Sequence, residues 1–201
     1  MKNIMITPKL LNEWGACADG KKWGLTVIGK GMSLKDILPK FERADWMVWT
    51  LRKAEACTKV QYAELAIICA KTVLSIYEMK YPEDDRPRKA IEAAMKYCKN
   101  PTEENRKDAA NAAAAAADAA YAAAADDDAA ADANAAAANA AADAAYAAAA
   151  YAAYAADAAA YAAYDAADAA DAACDARKSH HKKMCALLLK AINKFGKWEK
   201  I

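Results

Sequence analysis

Between positions 109 and 176, 47 of 68 residues are alanine, and the other 21 are eleven Asp, six Tyr, three Asn and one Cys. The stretch holds no Gly, Pro, Lys, Arg or β-branched residue. Alanine gives up no side-chain entropy on entering a helix and is the strongest helix former, so this third of the chain can only be helical. A methyl-only surface also limits how such a helix packs. It buries little area per residue, but it lets a neighbouring helix approach to the short end of the usual ~8–10 Å axis separation.

The exceptions to alanine are ordered. At 100° per residue, all of them except Asp126, Asp127, Asn134 and Cys174 fall within about 160° of arc. The pattern predicts an amphipathic rod, with alanines packed inward and carboxylates and phenols facing outward. From Asp128 to Asp175 the stripe holds phase well enough for one helix of about 70 Å. A compact bundle needs shorter helices, so a break is expected at Asp126-Asp127-Asp128, with an Asp capping the second helix.

The net charge of +1 conceals a segregation: residues 108–175 carry twelve Asp and no cation, between two flanks that are both net basic. The acidic middle can fold back on those flanks or offer an acidic ridge to a basic partner. Asp recurs in every window of about 20 residues of the alanine run, too often for a bilayer span. The N-terminal stretch Met1–Pro8 is too short, and too early broken by Pro8, to read as a signal peptide. Six cysteines without Cys-x-x-Cys spacing fit free, packed thiols in a reducing, cytoplasmic setting.

Local signals predict an all-α multi-helix bundle with long alanine-rich helices, divided into an N-terminal helical module (1–57) and an alanine-rich bundle with a basic C-terminal helix (58–201). Thr7-Pro8 opens a first helix running to about Cys17. Leu25-Thr26-Val27-Ile28 is a strand-like patch, and Ser33-Leu34-Lys35-Asp36 caps a short helix that Pro39 ends. Glu42 to Ala56 reads as a helix, Thr58 caps another reaching about Lys80, and Arg86 to Lys99 forms the next. Arg177-Lys178-Ser179-His180-His181 reads as a polar break with a solvated His pair, before a final helix that turns Met184, Leu187, Leu188, Ile192 and Phe195 inward. Trp14, Trp23, Trp46 and Trp49 are expected to fill the N-terminal core.

The densest polar motif is Asp84-Asp85-Arg86-Pro87-Arg88. Asp84 or Asp85 can cap the following helix, with Pro87 preset for its first turn. Arg86 and Arg88 can reach back to carboxylates as a corner network, or form a pocket for an anion or a partner. Asp165, Asp168 and Asp171, followed by Asp175, stack near a helix C-terminus. Like charges at that spacing cost about 0.2–0.5 kcal/mol per pair, so cations of the same chain or a basic partner are expected to compensate, ahead of a metal. The expectation is therefore no metal and no cofactor. His181 and Cys185, at i and i+4, lack the further ligands of a metal site.

The stretch from Ile76-Tyr77-Glu78 through Tyr81-Pro82-Glu83-Asp84-Asp85-Arg86-Pro87-Arg88-Lys89-Ala90-Ile91-Glu92-Ala93-Ala94, followed by an alanine-rich run, resembles an immunity-protein family of bacterial polymorphic toxin systems that has relatives in phage genomes. The resemblance covers roughly residues 60–165. Leu10-Leu11, Ala16-Cys17-Ala18-Asp19-Gly20 and Trp23 are similar to a small N-terminal helical module of phage and bacterial proteins. The family resemblance implies an all-α, non-enzymatic protein that binds and neutralises a toxin or host-defence effector. Two alternatives rest on the residues themselves: a sponge holding a small anionic, nucleotide-like ligand at Arg86 and Arg88, or an acidic nucleic-acid mimic using the Asp stripe. An exposed alanine face would also promote self-association.

Overall fold

The structure is a computed structural model. The structure describes residues 1–125, 131–150 and 177–200 and, between the last two ranges, 158, 159, 161, 162, 164–166, 168 and 169. The chain is an all-α multi-helix bundle.

Thr7 caps α1 (Pro8–Glu13), its side chain accepting from the Leu10 N–H at 3.2 Å. This helix is shorter than expected. Gly15, at φ 72°, turns the chain left-handed, and Cys17 starts α2 (Ala18–Ile28) by accepting from the Gly20 N–H at 3.3 Å. The strand-like Leu25–Ile28 patch is thus helical, its local β preference overridden by packing on α1. A Cβ at Gly24 would lie 2.6 Å from Leu11 Cδ1, so glycine is what lets α2 sit this close to α1. Ser33 caps α3 (Leu34–Ile37), a 3₁₀ turn follows at Leu38–Lys40, and α4 spans Ala44–Lys53.

Thr58 and Gln61 form a reciprocal capping box at the head of α5 (Lys59–Lys71). The expected continuation to Lys80 is interrupted, and α6 (Leu74–Lys80) leaves at an angle of 44°. At the break Thr72 Oγ1 donates to the Cys69 carbonyl at 2.6 Å, and β-branched Val73 occupies a non-helical φ of −125°. α7 spans Arg86–Lys99, α8 Glu103–Ala124 and α9 Ala131–Ala149. Because α8 and α9 pack against each other, the alanine run folds back between Ala124 and Ala131. The expected Asp cap at 126–128 lies outside the described residues.

α9 is the centre of the bundle, touching α5, α6, α7 and α8. Its alanines are buried almost all round, from Ala133 to Ala149, leaving only a narrow exposed row that includes Asp132, Asn139 and Tyr146. Asn134, the polar residue out of phase with the stripe, is correspondingly 2% exposed. The alanine face is therefore buried within the chain. The 158–169 segment, helical at its described positions, follows the same rule: Ala158, Ala159, Ala162, Ala166 and Ala169 are buried, while Tyr161 and Tyr164 are exposed.

The last helix, α10 (Arg177–Ile192), contains the Arg177–His181 run that reads as a break in the sequence. His181 is buried, not solvated: its Nδ1 accepts from the Ala44 N–H at 3.3 Å. Met184, Leu188 and Ile192 are buried as expected, whereas Leu187 is exposed. α10 packs on α4, α5 and the 3₁₀ turn, and two-residue strands complete the frame. β1 (Lys2–Asn3) runs parallel to β4 (Glu199–Lys200), and β2 (Met5–Ile6) antiparallel to β3 (Met32–Ser33). Among the described residues, no single helix is long and apolar enough to cross a membrane.

Candidate functional site

The 84–88 motif forms the corner between α6 and α7. Asp84 accepts at Oδ2 from the Tyr77 hydroxyl (2.7 Å) and from Arg86 Nη2 (2.6 Å), and at Oδ1 from the Arg86 backbone N–H (3.1 Å) and Nε (2.9 Å). Arg88 pairs with Glu78 at 2.6 Å, and Asp85 pairs with Lys89 at 3.0 Å. The hydrogen-bonded Arg86 guanidinium holds the Asp84 carboxyl well below the usual carboxylate range. Tyr77 is 1% exposed, and burial pushes its hydroxyl upward, with the Asp84 bond second. Asp84, not Asp85, caps the start of α7. Both arginines face carboxylates of the same chain, so the motif fixes the angle of two helices and leaves its cations matched.

Asp165 and Asp168 are half-buried, and Asp171 lies outside the described residues, as do the side chains of Arg177 and Lys178. Burial raises the carboxyls of Asp165 and of Asp143 on α9 above the usual range, and the negative charge of Asp165 adds to the rise at Asp143. Two carboxylates of the polar arc are thus half-buried, where an outward-facing stripe was expected.

The tryptophans meet the expectation only in part: they pack against the N-terminal core at its edge. The N-terminal core is built from Ile6, Leu34, Ile37, Leu38, Met47, Val48 and Leu51, whereas Trp14, Trp23, Trp46 and Trp49 are only half-buried. Trp23, Trp46 and Trp49 instead line a cavity of about 520 Å³, together with Phe41, Leu11, Gly20 and Gly24. Trp23 stacks on Phe41 with centroids 4.6 Å apart and leans on Trp46 at 5.8 Å. Trp49 meets Trp14 edge-on at 6.1 Å. Arg43 lies 4.6 Å over the Trp46 ring and Lys53 lies 5.8 Å over Trp49, so cations back two of the rings.

Polar atoms are few at this wall: Asp45, Thr50, Arg52 and Cys17, with Tyr161 and Tyr164 reaching in from the alanine-rich segment. Arg43 grips Asp45 with two bonds, at 2.7 and 3.1 Å, so that carboxylate is already matched. Thr50 donates to the Trp46 carbonyl at 2.8 Å and fixes the α4 turn beneath the rings. The sequence signal was the crowding of four of the chain's five tryptophans into the first 57 residues, with Trp46 and Trp49 one turn apart and Gly20, Trp23 and Gly24 sharing a face of α2. Comparison with family models, curated proteins and solved structures returns no match.

Proposed function

We propose that this chain is a non-enzymatic binding protein that sequesters a small planar ligand in the aromatic cavity, and thereby neutralises a toxin or host-defence effector that depends on that ligand. One observation carries the reading: large aromatic side chains left half-buried at the edge of the core stand around a cavity of about 520 Å³. Small-molecule sites typically occupy about 300–1,000 Å³ and have apolar walls with few polar groups. The edge-on and stacked rings present faces and edges to a flat ring system. Lys53, over the Trp49 ring, favours a ligand that also bears negative charge, of the nucleotide-like kind, whereas Arg43 is matched by Asp45. Capture belongs here and not at Arg86 and Arg88, whose charges are matched. We place this action in the cytoplasm, where free thiols persist.

The test is a tryptophan-fluorescence titration with the planar anion 8-anilinonaphthalene-1-sulfonate (ANS) and with 5′-mononucleotides. Saturable binding is expected for ANS and for at least one nucleotide. Trp46→Ala should weaken it by at least about tenfold, roughly 1.4 kcal/mol, with the unfolding midpoint little changed. Absence of saturable binding, or equal binding by the variant, would overturn the proposal.

A second reading, capture of a basic protein partner, is supported by the outer face of α8 and α9. There Tyr121 (77% exposed) and Tyr146 (51%) stand with exposed Asp118 and Asp132. Such binding would weaken steeply with salt, and a salt-insensitive complex would dispose of it.

A further inference from the structure

Two surfaces of the molecule carry opposite charge that is left unmatched within one chain. The first is a groove of about 640 Å³ between α5 and α10. Val60 and Ile68 of α5 and Leu187 and Phe195 of α10 form its apolar lining, with Leu187 39% exposed. Lys190 and Lys194, one turn apart on α10, also line it and are both exposed. Among the described residues neither lysine makes an ion pair. Glu64 lies half-buried in the same groove, so two cations face one acid and the mouth is net positive. Gln61 Nε2 donates to the Phe195 carbonyl at 3.3 Å and ties the two helices together at one end.

The second surface is the outer face of α8, where exposed Asp118 and Tyr121 stand one turn apart. Their exposed neighbours Ala114 and Ala122 end in methyl groups, so the phenol projects as a knob beside a carboxylate. Asp118 likewise makes no ion pair among the described residues. The two surfaces do not serve each other inside one molecule, because α8 packs on α7 and α9, whereas α10 packs on α4, α5 and the 3₁₀ turn. A net charge of +1 lets copies approach without general repulsion. We infer that the chain associates with itself head to tail: Asp118 and Tyr121 on α8 of one copy dock into the lysine-bearing groove between α5 and α10 of another. This rests on the second reading above, of the α8 face as a dock for a basic surface, and is independent of the aromatic cavity. A carboxylate held by one lysine sets the phenol one turn away over the apolar lining, as a helix side chain enters a groove. Because the two surfaces differ, each contact leaves one of each kind free, and assembly continues past the dimer.

The test is sedimentation velocity on the intact chain up to about 200 μM, at about 50 mM and about 500 mM salt. At the lower salt the wild-type mass should rise with concentration past that of a dimer, and association should weaken at least about tenfold at the higher. A groove variant, Lys190→Glu with Lys194→Glu, and an α8 variant, Asp118→Asn with Tyr121→Ala, should each stay monomeric. Mixed in equal amounts they should form a 1:1 dimer and go no further, because each partner keeps one intact surface. All four side chains are exposed, and an unchanged melting temperature checks that each variant folds. A wild type that is monomeric throughout, variants that associate like wild type, or a mixture that stays monomeric overturns the inference. The second reading is separated by titrating the groove variant with poly-L-lysine. Binding there beside a monomeric wild type leaves the α8 face as a dock for a different basic protein, and no binding overturns that reading as well.

Discussion

The imidazole Nδ1 of His181, on the last helix, accepts the backbone N–H of Ala44, the first residue of α4, at 3.3 Å. Arg43, at the N-cap position, provides no side-chain cap, so a residue 137 positions away in sequence caps the helix that carries Trp46 and Trp49. His181→Ala should therefore destabilise the fold by about 1–2 kcal/mol, the usual value of a helix cap. Urea unfolding at neutral pH measures it, and an unchanged midpoint would contradict the assignment.

At the α6–α7 corner, Asp84→Ala removes the acceptor of the buried Tyr77 hydroxyl and the partner of Arg86 together. Stranding a buried donor makes a loss of about 2 kcal/mol the expected result, discounted for the partial exposure of Arg86. Because the folded-state Asp84 lies below its unfolded value, its contribution is present above the ordinary Asp range and fades as pH falls toward and through the folded value. Wild type and variant should accordingly converge in stability on acidification, which thermal melts in a pH series would show.

Asn134 stands 2% exposed among alanines of α9, with its Nδ2 unbonded. Asn134→Ala removes that unmet donor and raises helix propensity, so it should stabilise the protein by about 1 kcal/mol or more. A lower melting temperature in the variant would show that the amide has a favourable role in the core.

Alkylation should be ordered by burial. Cys57, Cys69, Cys98 and Cys185 are pushed up to about 12, in each case mainly by burial, whereas Cys17 is exposed. Iodoacetamide at mildly alkaline pH should modify Cys17 first among these five, as peptide mass spectrometry would resolve. Because Cys17 lines the cavity, a bound ligand should slow that reaction.

Helix identity was legible wherever the chain carries its own punctuation. Thr7, Ser33 and Thr58 cap helices where the sequence places them. Two of the misses share a physical origin: a distant contact overrides a local preference. Leu25–Ile28 is held helical against α1, and the Arg177–His181 run continues a helix because His181 is consumed by α4. The cavity was illegible because tryptophan count predicts buried area and says nothing about whether rings fill a space or surround one. The half-burial of Asp143 and Asp165 escaped a projection that treats the run as one isolated helix.

A bundle centred on α9 meets its neighbours through methyl groups, and this makes its tolerance to mutation one-sided. At Ala137, Ala141, Ala144 or Ala148 every replacement except glycine adds atoms where the gap between helices is already minimal. Random drift there can wedge helices apart but has almost nothing to erode, the reverse of a leucine-filled interior, where damage comes chiefly as voids.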